Sequence, residues 1–322
     1  MAPLNRGLLT GCLFLTAVGS LQAQDASSKS YNLVMKFVAG DTLKYKYGTN
    51  MAIEIKGKDG AELPIPAQEM IMSATMKQKV IKVNEDGSAD IQSTMQKGVM
   101  TMMGNETPMP DVPPTLTTVS KNGSTKIKEK PKSAGGGMTG LGNMLNMDSL
   151  PTNAVFPDHP VKVGDSWNVD LPSPFGEGKI SVASSLISVD TTDGKDVLKI
   201  KQVTTMPMKM FIGNGGAPVK TEAESMMGMS GTIKVDSFVY VQADDCRLVK
   251  TTGTINATIA MKMGATAAAS SPFGDTMNMS MKGTMDMKLT SAGPDTDPPA
   301  PVKTVPTKAA TPTKKPTATK KP

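Results

Sequence analysis

Met277-Asn278-Met279-Ser280-Met281-Lys282-Gly283-Thr284-Met285-Asp286-Met287 sets a thioether at nearly every second position, with polar residues between. Side chains alternate faces along a β-strand, so this period places the methionines on one side and Asn, Ser, Lys, Thr and Asp on the other. Met206, Met208 and Met210 repeat the spacing, as do the pairs Met70/Met72, Met100/Met102, Met227/Met229 and Met261/Met263. Elsewhere the same alternation is written in aliphatic residues: Ile233, Val235, Val239 and Val241, then Ile255, Ala257 and Ile259. Half-buried antiparallel strands have this pattern. The expected fold is all-β, with a buried face made soft by an unusual stock of 27 methionines.

A weak internal repeat organises these strands. Phe37-Val38-Ala39-Gly40-Asp41-Thr42-Leu43-Lys44-Tyr45 parallels Val161-Lys162-Val163-Gly164-Asp165-Ser166-Trp167-Asn168-Val169. In each copy Gly-Asp makes a turn that launches a strand: the glycine supplies a permissive backbone, and the aspartate can bond amides across the turn. Val80-Ile81-Lys82-Val83 before Asp86-Gly87 then matches Leu186-Ile187-Ser188-Val189 before Asp193-Gly194. Each copy closes on a further hairpin, at Asn122-Gly123 in the first and near Asp244-Asp245-Cys246 in the second. About six strands per copy follow from this reading. They form two tandem antiparallel β lobes, residues 30–130 and 155–290, or one continuous curved sheet.

The remaining segments read differently. Residues 131–154 are a linker rich in Gly, Met and Leu, with a candidate short helix from Met138 to Leu150. Residues 291–322 are dominated by Pro, Thr, Lys and Ala without apolar periodicity, the composition of a disordered tail. At the other end, Arg6 precedes an uncharged, mostly apolar run from Leu8 to Leu21, and a polar stretch opens at Asp25. Residues 1–23 therefore read as a secretory signal peptide cut after Ala23. Leu9-Thr10-Gly11-Cys12 imitates a lipobox, but the apolar core follows Cys12, whereas in a lipoprotein signal it precedes the cysteine. Nothing in the mature chain reads as a transmembrane segment.

Phe156-Pro157 followed by Pro160-Val161-Lys162-Val163-Gly164-Asp165-Ser166-Trp167 resembles a motif of secreted bacterial proteins of unknown function. Those proteins share a β-rich, duplicated layout and Asp-Gly turns. The resemblance runs from about Tyr31 to Leu289. It implies a bacterial cell-envelope protein, periplasmic or extracellular, and it brings no catalytic residue with it.

Composition excludes much chemistry. His159 is the single histidine, set in a loop between Asp158 and Pro160, so catalysis by Ser-His-Asp or Cys-His would have to pass through it. Without the signal, Cys246 is the only cysteine; an internal disulfide and a His/Cys zinc site are both unavailable. The net charge of +6 is concentrated in the tail, through Lys303, Lys308, Lys314, Lys315, Lys320 and Lys321. Those lysines could attach to anionic envelope polymers or lipid headgroups. Arg247 is the only arginine after the signal, and aromatic residues are scarce, which argues against specific nucleic-acid binding.

Several expectations follow. The protein is a non-enzymatic, exported β protein that binds an apolar ligand or a protein partner on a Met-rich face, with no catalytic residue and no cofactor. Gly40, Asp41, Gly164 and Asp165 are structural turn residues. The first alternative is a Cu(I) protein using Met277, Met279, Met281, Met285 and Met287, since thioethers are soft ligands. The second is a hydrolase that relies on carboxylates alone.

Overall fold

The computed structural model describes residues 29–295, apart from 64–65, 110–113, 130–153, 174–177, 214–217, 220, 222–224 and 265–274. The expected signal peptide and linker helix, and all but the start of the tail, lie outside the described residues. The strands are β1 (Asp41–Lys56), β2 (Gln68–Val83), β3 (Ala89–Met102), β4 (Asn105–Pro108), β5 (Thr115–Val119), β6 (Thr125–Glu129) and β7 (Ser166–Pro172). They continue with β8 (Lys179–Thr192), β9 (Lys195–Ile212), β10 (Pro218–Val219), β11 (Met227–Gln242), β12 (Leu248–Met263) and β13 (Thr276–Pro294). The helical content among the described residues is a three-residue 3-10 turn, Lys58–Gly60. No helix among them is long and apolar enough to cross a membrane.

All 13 strands join one antiparallel sheet, ordered β6-β5-β3-β2-β1-β13-β12-β11-β9-β8-β7, with β4 on β3 and β10 on β9. Of the two architectures that the sequence allows, the continuous sheet is the one formed. Among the described residues it does not close, and β6 and β7 are its edges. Parity explains why β13 lies in the middle. β1 and β12 run in the same direction and would meet as parallel neighbours. β13 runs the other way and forms antiparallel ladders with both, pairing Met281 with Ile53 on one side and with Ala257 on the other. Pairing of β1 with β13 continues as far as Asp41 and Pro294, so Ser291–Pro294 belong to the sheet and not to the tail assigned to them from composition.

The two copies agree in detail. Gly40 and Gly164 both have positive φ, +88° and +97°. The Gly40 N–H donates to the Val80 carbonyl at 2.9 Å, and the Gly164 N–H to the Leu186 carbonyl at 2.8 Å. Asp41 N–H reaches back to Val38 O at 3.2 Å, as Asp165 N–H does to Lys162 O at 3.0 Å. The strand then bulges just after Val80 in one copy and just after Leu186 in the other. Each bulge turns an isoleucine outward, Ile81 and Ile187.

One face of the sheet is buried and the other is wet, as the alternation requires. Among the described residues no helix longer than a 3-10 turn covers it, and the apolar face is buried by coiling of the sheet about it. Glycines at inward-facing positions of three adjacent strands allow this. A Cβ on Gly283 of β13 would strike the backbone of Asn50 and Met51, one on Gly231 of β11 that of Thr258 and Ile259, and one on Gly253 of β12 that of Asp236 and Ser237. Only residues without a Cβ let neighbouring strands come this close.

Candidate functional site

The coiled sheet encloses an interior whose two ends differ. One end is laced shut by main-chain hydrogen bonds. Tyr31 and Val161 exchange N–H···O bonds of 2.8 and 2.9 Å, joining the N-terminal segment to the chain that leads into β7. Met35 N–H then reaches Lys121 O in the β5–β6 turn, and Lys36 N–H reaches Asp245 O in the β11–β12 turn. Ala154–Phe156 spans the gap between the sheet edges here. Phe156 N–H donates to Asn122 O at 2.8 Å on the β6 side, and the Trp167 indole of β7 donates to Val155 O at 2.8 Å. This base is packed with Tyr31, Tyr45, Tyr47, Phe156 and Trp167. Burial pushes the Tyr45 and Tyr47 phenols well above the ordinary tyrosine range.

Away from the base the interior becomes aliphatic and then thioether-rich. Strand register places Met210, Met229, Met261 and Met277 in a single row across β9, β11, β12 and β13. Met208, Ile259, Met279 and Ile55 make the next row inward, and Met206, Ile233, Ala257, Met281 and Ile53 the one after. Met206, Met208, Met229, Met279 and Met281 are buried, whereas Met100, Met102, Met210, Met227 and Met277 pack at the edge of this cluster and are only partly so. Past the Gly40-Asp41 turn, the charge in the inward phase of β1, β8, β9, β11, β12 and β13 is Asp196, which opens β9 at the base and pairs with Lys29 at 2.6 Å; beyond it no inward-facing position of these strands carries one.

The five methionines expected on β13 are therefore on one face, and four of them are buried: Met279, Met281, Met285 and Met287. They do not converge on a point. Met277 and Met287 are ten positions apart along a strand, about 34 Å at 3.4 Å per residue, so one ion cannot meet all five. Thioethers meet most closely across strands, where opposed Cβ atoms are about 5 Å apart, as in the Met210–Met229–Met261–Met277 row. That row uses Met210, Met229 and Met261, which are absent from the set read along β13. Among the described residues there is no group of three or more His, Cys, Asp or Glu able to hold a metal.

Between base and methionines the interior contains a polar level. Trp167, Ser184, Gln202, Ser237, Gly253 and Met285 form one row across β7, β8, β9, β11, β12 and β13. Gln202, Ser184 and Thr251, the last one row nearer the base, are 2%, 4% and 3% exposed. Gln202 Oε1, Ser184 Oγ and Thr251 Oγ1 have no hydrogen-bond partner. A buried polar atom left unpaired costs about 1–3 kcal/mol. These residues were not singled out from sequence, yet their signal is there: Gln202 falls in phase with Leu198, Ile200, Met206 and Met208, where an apolar residue is expected.

The other residues weighed from sequence have structural places. Gly40, Asp41, Gly164 and Asp165 are turn residues, and the Asp165 carboxylate accepts the Lys162 N–H at 2.8 Å. His159 is exposed, its ring 3.2 Å from the Asp158 carboxylate. Cys246 is buried in the β11–β12 turn with φ +53°, and burial pushes its thiol up to about 12.

No protein-family model matches this sequence, and no curated protein does. Among solved structures the chain is similar to lipovitellin, in a structure described as concerning lipid–protein interactions in lipovitellin. The identity is 10% and the TM-score 0.44, over 82% of this chain and 26% of that one. This chain thus spans about a quarter of the protein it matches, and a likeness of this degree carries no argument about ligand or activity.

Proposed function

We propose that this chain is a non-enzymatic, exported protein of the bacterial cell envelope that binds apolar ligands inside its coiled sheet. The observation behind this reading is the interior itself: shut at an aromatic base, uncharged beyond it and increasingly lined by methionine toward the far end. Methionine is unbranched and polarizable, and its side chain re-packs around varied shapes at small cost. An interior of aliphatic residues alone would resist such entry, because well-packed cores transmit strain. The base anchors the sheet while the methionine rows adapt.

The test is occupancy. The full chain, purified without detergent, is extracted with organic solvent and the extract weighed by mass spectrometry, alongside titration with a neutral fluorescent probe such as N-phenyl-1-naphthylamine. Saturable probe binding, displaced by long-chain lipids, supports the reading. Absence of both probe binding and co-purified lipid refutes it. A second reading, Cu(I) binding, is favoured by one observation, the row of four thioethers across β9, β11, β12 and β13.

A further inference from the structure

The polar level inside the sheet specifies more than an apolar occupant. We propose that the interior takes a neutral, hydroxyl-bearing amphiphile, its polar head held by Gln202, Ser184 and Thr251 and its apolar chain laid along the methionine rows. This rests on the reading of the interior as a ligand site.

Three features carry it. The first is the state of the polar atoms. Gln202 Oε1, Ser184 Oγ and Thr251 Oγ1 are buried, face the interior and lack partners. Ser237 is different: its hydroxyl donates to the Gln202 main-chain carbonyl at 3.3 Å and is not counted. Ser184 and Gln202 are opposed across β8 and β9, and Thr251 lies on β12, two strands from β9. Opposed residues on adjacent strands are about 5 Å apart at Cβ, so Ser184 and Gln202 are neighbours and Thr251 stands apart from them. Protein atoms cover all three polar atoms, so a ligand reaches them by displacing the side chains packed around them.

The second is the chemistry these atoms request. An amide oxygen accepts only, while each hydroxyl both donates and accepts. A ligand that satisfies all three brings at least one donor and one acceptor, as an alcohol, a glycerol ester or an amide does. An ionised head is disfavoured, because the inward-phase charge on these strands, Asp196, is six residues from Gln202 along β9 and already paired with Lys29.

The third is length. From the level of Gln202 to the row of Met210 there are eight residues of β9, about 27 Å of wall that is apolar beyond the buried Thr204. That exceeds the ~15 Å that the acyl chains of one membrane leaflet occupy. A long-chain lipid with its head at Gln202 therefore keeps its whole chain against Met206, Met208, Met279 and Met281.

The experiment measures displacement of the neutral probe from the full chain by five ligands of one chain length: monopalmitoylglycerol, hexadecanol, hexadecane, palmitate at pH 8 and hexadecylamine. Wild type and the Gln202→Leu/Thr251→Val variant are compared, and both are checked by thermal melting. Replacing unpaired polar groups with apolar ones of similar shape should leave folding intact. The expected result is that wild type prefers the glyceride and the alcohol over hexadecane, palmitate and the amine by tenfold or more. The variant should bind hexadecane as wild type does and lose the preference to within about twofold. If hexadecane and hexadecanol bind wild type equally, or the preference survives in the variant, the polar level is a hydration site or a packing feature. The inference then falls while the interior reading stands. If none of the five displaces the probe, both fall together. A variant that does not fold is replaced by Ser184→Ala, judged by the same two criteria.

Discussion

Replacing Gly283 with alanine tests whether the sheet bends where the glycines sit. The added methyl would meet the Asn50 carbonyl of β1 well inside contact distance and would lie 2.8 Å from both Cα and Cγ of Met51. Carbon atoms pack at about 3.5–4.0 Å, so β1 and β13 would have to separate by roughly 1 Å. Gly283 is paired with Met51 on one side and Ile255 on the other, so neither strand can yield without loosening a ladder. Overpacking of this kind costs about 1–3 kcal/mol, and backbone contacts place Gly283 at the upper end. Each kcal/mol lowers the melting temperature of a domain this large by about 2–4 °C, so a fall of roughly 6–12 °C is expected in a thermal melt followed by circular dichroism. Gly228→Ala is the matched control. Its new Cβ meets nothing closer than the Phe211 ring at 3.5 Å. There alanine should be neutral or stabilising by about 0.5–1 kcal/mol, because glycine weakens strands through its backbone entropy. Opposite signs at the two glycines are the expected outcome. If both variants melt together at or above wild type, the reasoning about coiling is refuted.

Gly164→Val should destabilise the fold by about 2–3 kcal/mol, since a β-branched residue is strained at φ +97°; equilibrium urea unfolding measures it, and an unchanged midpoint would count against the turn assignment. The Lys128 ammonium at 2.7 Å, and then the Thr118 hydroxyl at 2.8 Å, hold the Asp90 carboxyl below the usual carboxylate range. Its stabilisation is thus complete above the unfolded value of about 4 and is lost as pH falls through the lower folded value, so Asp90→Asn should reduce stability at pH 6 and flatten its decline below pH 4. Cys246, buried with its thiol pushed up to about 12, should resist a thiol reagent at pH 8 in the native protein and react on unfolding; stoichiometric labelling of folded protein would contradict its burial. Met279, Met281, Met285 and Met287 changed together to leucine should fold with a modest loss of stability, since volume is nearly conserved. Tight one-to-one Cu(I) binding by wild type that is lost when the cross-strand row Met210, Met229, Met261 and Met277 is changed to leucine would instead establish a metal site.

Much of this architecture is legible in the chain because its main signals are local. Met277 to Met287 and Ile233 to Val241 announce strands through a period of two, and the paired Gly-Asp and Asp-Gly turns announce the duplicated meander. What escapes is non-local. Nothing in residues 276–294 says that they pair with residues 41–56, and so nothing separates two lobes from one sheet. The polar composition of Ser291–Pro294 suggests a tail, but their main chain continues the ladder with β1. The lacing of the base depends on main-chain bonds such as Met35 to Lys121, which have no side-chain signature. The polar level lies between. Gln202, Ser184 and Thr251 hold apolar-phase positions that a count of hydrophobic matches passes over, and only register brings them to neighbouring heights.

The position of β13 also sets the order in which the molecule can be completed. Of the described strands, the one that joins the two copies is encoded last and its partner β1 first. Until residues 276–294 are available, β1 and β12 each present a long unpaired edge of alternating apolar residues. Such edges invite pairing with another chain. Contacts so distant in sequence form slowly, because loop closure must precede them. The chain therefore stays exposed to misassembly until β13 has been made, and loss of that strand would remove the keystone of the sheet, not an appendage.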